Sequence, residues 1–148
     1  MTNFIADCTG RFLALHLTNG DDLLKCIEKG AGDAGIQSGV ILTGIGSLRK
    51  LHVHYISTTT DKPEDIFKVI EQPLELLCLQ GLILEGKAHL HVAASGQCSQ
   101  TYTGHLEEGS EVQYLAEISI LEIKDFPVGR RTKQYGTVSN FEWLDGRV

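Results

Sequence analysis

The segment His89-Leu90-His91 carries the clearest chemical signal in the chain. In a β-strand, residues two apart point to the same face. The two imidazoles would therefore stand side by side, while Leu90 and Val92 turn towards the core. Fourteen residues after His91 comes Gly104-His105-Leu106. A loop and return strand through residues 93–103 would bring His105 back beside the pair. Three neutral imidazoles with an open fourth position are a known zinc arrangement, with Zn–N near ~2.0–2.1 Å. The same spacing also describes three polar strand residues on a solvated face, and spacing alone leaves both readings open.

A second pair, His52-Val53-His54, shares one strand face and reads as solvent-facing or crevice-lining. His16 is the one histidine with a visible path to it, and otherwise reads as a single strand histidine with an ordinary hydrogen-bond partner. Glu75 and Glu117 each sit in an otherwise apolar strand, where a carboxylate is costly unless paired, hydrogen-bonded or metal-linked. Either could orient a ligating histidine from behind. Equally, they could be solvated or paired with Arg11 or Arg49. No P-loop, HExxH or GxSxG occurs, and Gly44-Ile45-Gly46 fails as a dinucleotide loop because Arg stands at 49. No catalytic mechanism follows from the sequence, so enzyme status stays undecided.

These residues need strands to hold them. Residues 11–18 alternate as a first strand, with Leu13, Leu15 and Leu17 on one face. Asn19-Gly20-Asp21-Asp22 turns the chain and can cap a helix in which Leu23, Leu24 and Ile27 recur at helical spacing; Gly30 and Gly32 limit it or loosen its end. Residues 39–43 read as a buried strand, 44–47 as a sharp break, 48–57 as another strand and 58–65 as an exposed loop. Residues 66–70 fit either a helix start after Pro63-Glu64-Asp65 or an alternating strand. Strands follow over 74–79, 83–84, 88–94 and 113–123, with turns at Gly81 and Gly86. Many strands with few helices predict an α+β fold with a mostly antiparallel or mixed sheet.

The chain of 148 residues has the size of one domain, able to bury a core without staples. No apolar run approaches the ~18 residues of a membrane-spanning helix. The first seven residues lack a basic n-region and an apolar stretch, which is unlike a signal peptide. Thirteen Lys and Arg against nineteen Asp and Glu give a net charge of −6, which disfavours nucleic acid as primary partner. Arg130-Arg131-Thr132-Lys133 is the one basic cluster and reads as a solvated tail. Cys8, Cys26, Cys78 and Cys98 form no CxxC and read as reduced, near-core thiols of a cytoplasmic protein.

Six segments in register resemble the PPC (plants and prokaryotes conserved) domain. They are Arg11 ahead of Gly20-Asp-Asp-Leu23, Gly44-Ile-Gly-Ser-Leu48, Leu74 to Gly81, His89-Leu-His91, Gly104-His-Leu106 and Ala116-Glu-Ile118. The resemblance covers about residues 11–123 of a single domain, with a C-terminal extension over 124–148. It implies a central antiparallel sheet with one or two flanking helices, a strand at 66–70, and a homotrimer whose sheets meet at subunit edges. It also implies a metal on His89, His91 and His105, which the three-imidazole arrangement reads as a divalent transition ion, zinc by preference, and Glu75 and Glu117 stay orienting candidates on their own setting. A small molecule could bind at the metal. Acidification through about pH 6 is then expected to release the ion as the histidines protonate. The alternative is a DNA-binding or transcription-associated role, although this chain lacks the Arg-Gly-Arg-Pro core of an AT-hook. Thr103 replaces the first glycine of the usual Gly-Gly-His-Leu, and Cys78 a usual serine. Thr at a position of positive φ would strain the backbone beside His105.

Overall fold

Alternating apolar residues and a shortage of helical repeats leave the chain mostly extended, and its backbone pairs in antiparallel ladders. In a computed structural model of the protein, residues 10–132 and 138–146 are described, and expectations for the first seven residues, Cys8 and Lys133 lie outside them. The elements are β1 (Phe12–Thr18), α1 (Leu23–Asp33), β2 (Gly39–Ile56), β3 (Asp65–Leu84), β4 (Lys87–Ser95), β5 (Thr101–Leu106), β6 (Glu111–Glu122), β7 (Val128–Thr132) and β8 (Ser139–Trp143). Six strands form one sheet in the order β1-β6-β2-β3-β4-β5, and β5 also pairs with β2. That second pairing closes β2, β3, β4 and β5 into a ring. The α+β architecture is thus as expected, with a single α-helix among the described residues.

The helix begins where the aspartates predict. The side chain of Asp22 accepts from Lys25 N at 3.0 Å as N-cap, and its other oxygen accepts from Gly109 N at 2.7 Å. Leu23, Ile27 and Ala31 are buried on one face and join the common core. Gly30 does not end the helix. A Cβ there would lie 2.6 Å from Leu15, so the glycine lets the helix lie close against β1.

Two expected boundaries are absent. Residues 44–47 are no break, because β2 runs through them for 18 residues with irregular register between Ile41 and Thr43, Gly46 and Leu48, and Leu48 and Lys50. Bulges absorb the twist and let one strand continue. Gly81 is no turn either: it lies inside β3, φ +144°, where a Cβ would stand 2.0 Å from the His89 carbonyl oxygen. The turn at Gly86 does form, with positive φ at Glu85 and Gly86 joining β3 to β4. The ambiguous stretch 66–70 is strand, inside β3.

The tail after Pro127 is not a solvated string. β7 and β8 pair as a ribbon, Phe126 and Trp143 pack edge to face, and Arg131 forks onto Glu85 at 2.6 and 2.8 Å. Cys26 and Cys78 are partly buried, but Cys98 is exposed in a 3-10 turn between β4 and β5, unlike the expected near-core position.

Arg11 grips Glu122 through Nε and Nη2, each at 2.8 Å, and tethers the start of β1 to the end of β6. These hydrogen bonds and the guanidinium charge hold the Glu122 carboxyl down at about 2. A carboxylate with a depressed folded pKa adds stability above its ordinary pKa and loses it as pH falls through the folded value. Urea denaturation should therefore find Arg11→Ala less stable than wild type above about pH 4.5, with the difference shrinking towards pH 2. A difference independent of pH would refute the linkage.

Candidate metal centre

Strand register alone brings the histidines together. β4 and β5 pair so that His91 faces His105, and β5 and β2 pair so that His105 faces His54. Leu90, Val92, Val53 and Leu106 alternate with them and are buried. The imidazoles therefore line the opposite, outer surface of the ring. The return strand expected after His91 is present and supplies the third imidazole.

His105 is the hub. Its ring centroid lies 4.3 Å from that of His54, 4.7 Å from His89 and 5.5 Å from His91. The His89 and His91 rings stand 5.5 Å apart with planes 18° from parallel, as residues two apart on a strand should. Phe67 closes the far side, 5.3 Å from His54 and 6.0 Å from His52. His54, read from sequence as lacking a third partner other than His16, in fact meets His105. His16 lies opposite Glu117, with Nδ1 3.9 Å from the carboxylate.

The carboxylate at this cluster is neither of the two expected. Glu75 is exposed, opposite Ser47 and Ser95, and Glu117 faces His16 on the β1–β6 ladder. Arg11, once a possible partner for either, is engaged by Glu122. Glu107 instead reaches the histidines: its Oε1 lies 2.6 Å from His54 Nδ1 and 3.2 Å from His105 Nδ1. A carboxylate can only accept, so each Nδ1 carries the proton and each Nε2 keeps its lone pair. Glu107 was legible as a candidate, since it follows His105 by two residues.

Ser110 holds this region in register. It is fully buried; its hydroxyl accepts from His52 N at 3.0 Å and lies 3.1 and 3.2 Å from the carbonyls of Glu107 and His52. Gly104 admits the close approach of β5 to β2, since a Cβ there, at φ +154°, would stand 2.9 Å from the His54 carbonyl oxygen. Thr103 is outside the positive-φ residues, so the strain anticipated there does not arise.

The donor atoms of His54, His105 and Glu107 lie within 4.8 Å of one another, close enough to hold a cation. A second grouping is the set of imidazoles His89, His91 and His105, of which Glu107 orients His105. Electrostatics favour neutral rings. Burial first, then the nearby His105, Arg130, His91 and His54, press the His89 imidazole down to about 4. Burial and His54 lower His105 as well, partly offset by Glu107. A histidine depressed below its unfolded value weakens the fold as pH falls from about 6.5 towards the folded pKa, because the unfolded chain binds the proton more readily. In metal-free protein, the NMR titration of His89 should show a neutral ring at pH 6 and a midpoint near 4. A midpoint at or above 6.5 would contradict this.

The family model for the Plants and Prokaryotes Conserved (PCC) domain matches residues 6–124. A metal-containing protein from Archaeoglobus fulgidus has the same fold, with TM-score 0.80 and 28% identity over 97% of this chain and 99% of that one. A plant- and prokaryote-conserved (PPC) protein from Pyrococcus horikoshii superposes with TM-score 0.79 and 27% identity, again over 97% and 99%. A Bacteroides thetaiotaomicron protein described as a candidate DNA-binding protein shares the fold at TM-score 0.76 and 19% identity, over 95% and 99%. Among curated sequences, a bifunctional protein GlmU from a Synechococcus strain is 28% identical over 82% of this chain, yet the chain spans only 18% of it. With the matched segment covering most of its length, the chain is a member of the Plants and Prokaryotes Conserved domain family.

Proposed function

We propose that the protein is a metal-binding homotrimer, with zinc on His89, His91 and His105 and a regulatory or small-molecule role exercised at the open coordination position. The observation that carries this reading is the convergence of three imidazoles from two strands on the outer surface of the ring. The depressed basicity of His89 and His105 supports it, because ligation needs neutral imidazole. The metal-containing relative from Archaeoglobus fulgidus supports it further. Zinc suits such a donor set because its filled d shell imposes no geometry of its own. Glu107 would serve as the outer partner that fixes the His105 tautomer and leaves Nε2 for the ion. A bound zinc would acidify a coordinated water.

Trimerisation is supported by surface chemistry. Among the described residues, β1 ends the sheet with one edge unpaired. Leu42, Ile45, Leu77 and Leu115 are exposed on strands of the same sheet. Several large apolar side chains left exposed on one sheet suit contact with another chain. No helix among the described residues is long and apolar enough to cross a membrane.

Elemental analysis of tag-free protein should find close to one transition metal per chain. Exchanging both His89 and His91 for Ala should remove it, with the particle still sedimenting at three times the chain mass of 16.2 kDa. Metal lost instead in His54→Ala and retained without His89 and His91 would transfer the site to His54, His105 and Glu107. Because His89 and His105 are depressed, metal should be retained at pH 6 and released nearer pH 4, lower than ordinary histidines would allow.

The second reading, a DNA-binding role, rests on the Bacteroides relative's description. The net charge of −6 opposes it. So does the placement of Arg130 and Arg131, which pack on Phe141 and Glu85. A gel-shift titration at low salt should show no retardation. Retardation that weakens steeply with added salt would revive the reading.

A further inference from the structure

Back along β2 from the imidazoles, a cavity of about 550 Å³ opens between β2, β3, β6 and the turn after β4. Arg49, Glu71, Gln72, Glu75 and Gln113 line it, and Leu48 and Leu74 supply apolar wall. Its volume lies within the ordinary range for small-molecule sites.

Arg49 is the uncommon feature. Leu48 pairs with Val112 of β6 and Lys50 with the adjacent Glu111, so Arg49 is the extra residue of a bulge against that strand. A bulge re-aims the side chain it displaces. Arg49 Nε is buried and meets no hydrogen-bond acceptor among the described residues. The guanidinium can only donate, and a buried donor without an acceptor is costly. Glu71 and Glu75 line the same cavity without closing onto Arg49, for none of the three is ion-paired with another described residue. An exposed glutamate without a partner is ordinary, whereas a guanidinium with a buried, unmet N–H is not.

Charges of both signs therefore face one space and are held apart. A simple anion would meet two carboxylates, and a simple cation would meet the guanidinium. We propose that this cavity binds a small zwitterion, its carboxylate held by Arg49 and its ammonium by Glu71 and Glu75. The inference does not rest on the metal centre, which uses other residues.

Calorimetric titration of the full chain tests it, with glycylglycine and L-alanine as zwitterionic probes and propionate and propylamine as singly charged controls. At least one zwitterion should bind with Kd below about 1 mM, and both controls at least about tenfold more weakly. Arg49→Gln should weaken binding about tenfold or more, and Arg49→Lys less, because it keeps the charge but loses the planar fork. Glu75→Gln, at an exposed position, should weaken binding without risk to the fold. Stripping metal with a chelator should leave the affinity unchanged, so a failed metal site would not mask the result. The proposal is overturned if neither zwitterion gives saturable heat up to about 10 mM, or if propionate binds as well. It also falls if Arg49→Gln breaks the oligomer while wild type binds no probe, which would assign Arg49 to a contact between subunits.

Discussion

The structure depends on one strand that changes partners along its length. β2 is bonded to β6 from Gly39 to Lys50 and to β5 at Val53 and His54, while β3 runs beside it. A flat strand could not serve both neighbours, since they approach from different directions. The irregularities at Ile41, Gly46 and Leu48 supply the bend, and Gly46, at φ +154°, admits the backbone of β6 where a Cβ would stand 2.5 Å from the Leu115 carbonyl oxygen. Once β2 has turned, its end must meet β5, and His54 then lies opposite His105. The imidazole cluster follows from how the sheet closes.

Closure also decides the electrostatics. Crowding removes water from His89 and His105, and neighbouring imidazoles add repulsion, so their charged forms are disfavoured. The fold favours the neutral ring at His89 and His105 and holds the rings of His54 and His105 with a single carboxylate oxygen on Glu107. The supports are themselves fastened. Ser110 ties His52 to the turn after β5, and Asp22 spends one oxygen on the helix N-terminus and the other on that same turn. Local capping chemistry and site geometry thus share residues.

Period-two alternation carried much of the fold. It was enough to put His89 and His91 on one face with Leu90 and Val92 on the other, and to return His105 beside them. It could not reveal the second contact of β5, because closure joins residues about fifty positions apart and leaves no local mark. His54 was therefore separated from its true neighbour. The break expected at 44–47 had the same origin, since glycines that admit a close backbone resemble glycines that end a strand. Glu75 and Glu117 drew attention as charges among apolar residues, yet each lies on a face that points outward. Glu107 follows the strand end, where a carboxylate looks like ordinary loop chemistry, and only its spacing of two from His105 marks it.

The commitment of Glu107 bears on what such a site can do. Hydrolysis at a metal-bound water needs a base free to take its proton. Among the described residues, the carboxylate hydrogen-bonded to the imidazoles already accepts from two of them, and protonating it would release both rings from their orientation. The other hydrogen-bonding group against His52 is the Glu108 carbonyl, which is no base. Glu107 is thus committed to orienting His54 and His105. The same rigid network suits a centre that grips a cation and presents one open position to an incoming ligand, for which ordered imidazoles matter more than a mobile proton.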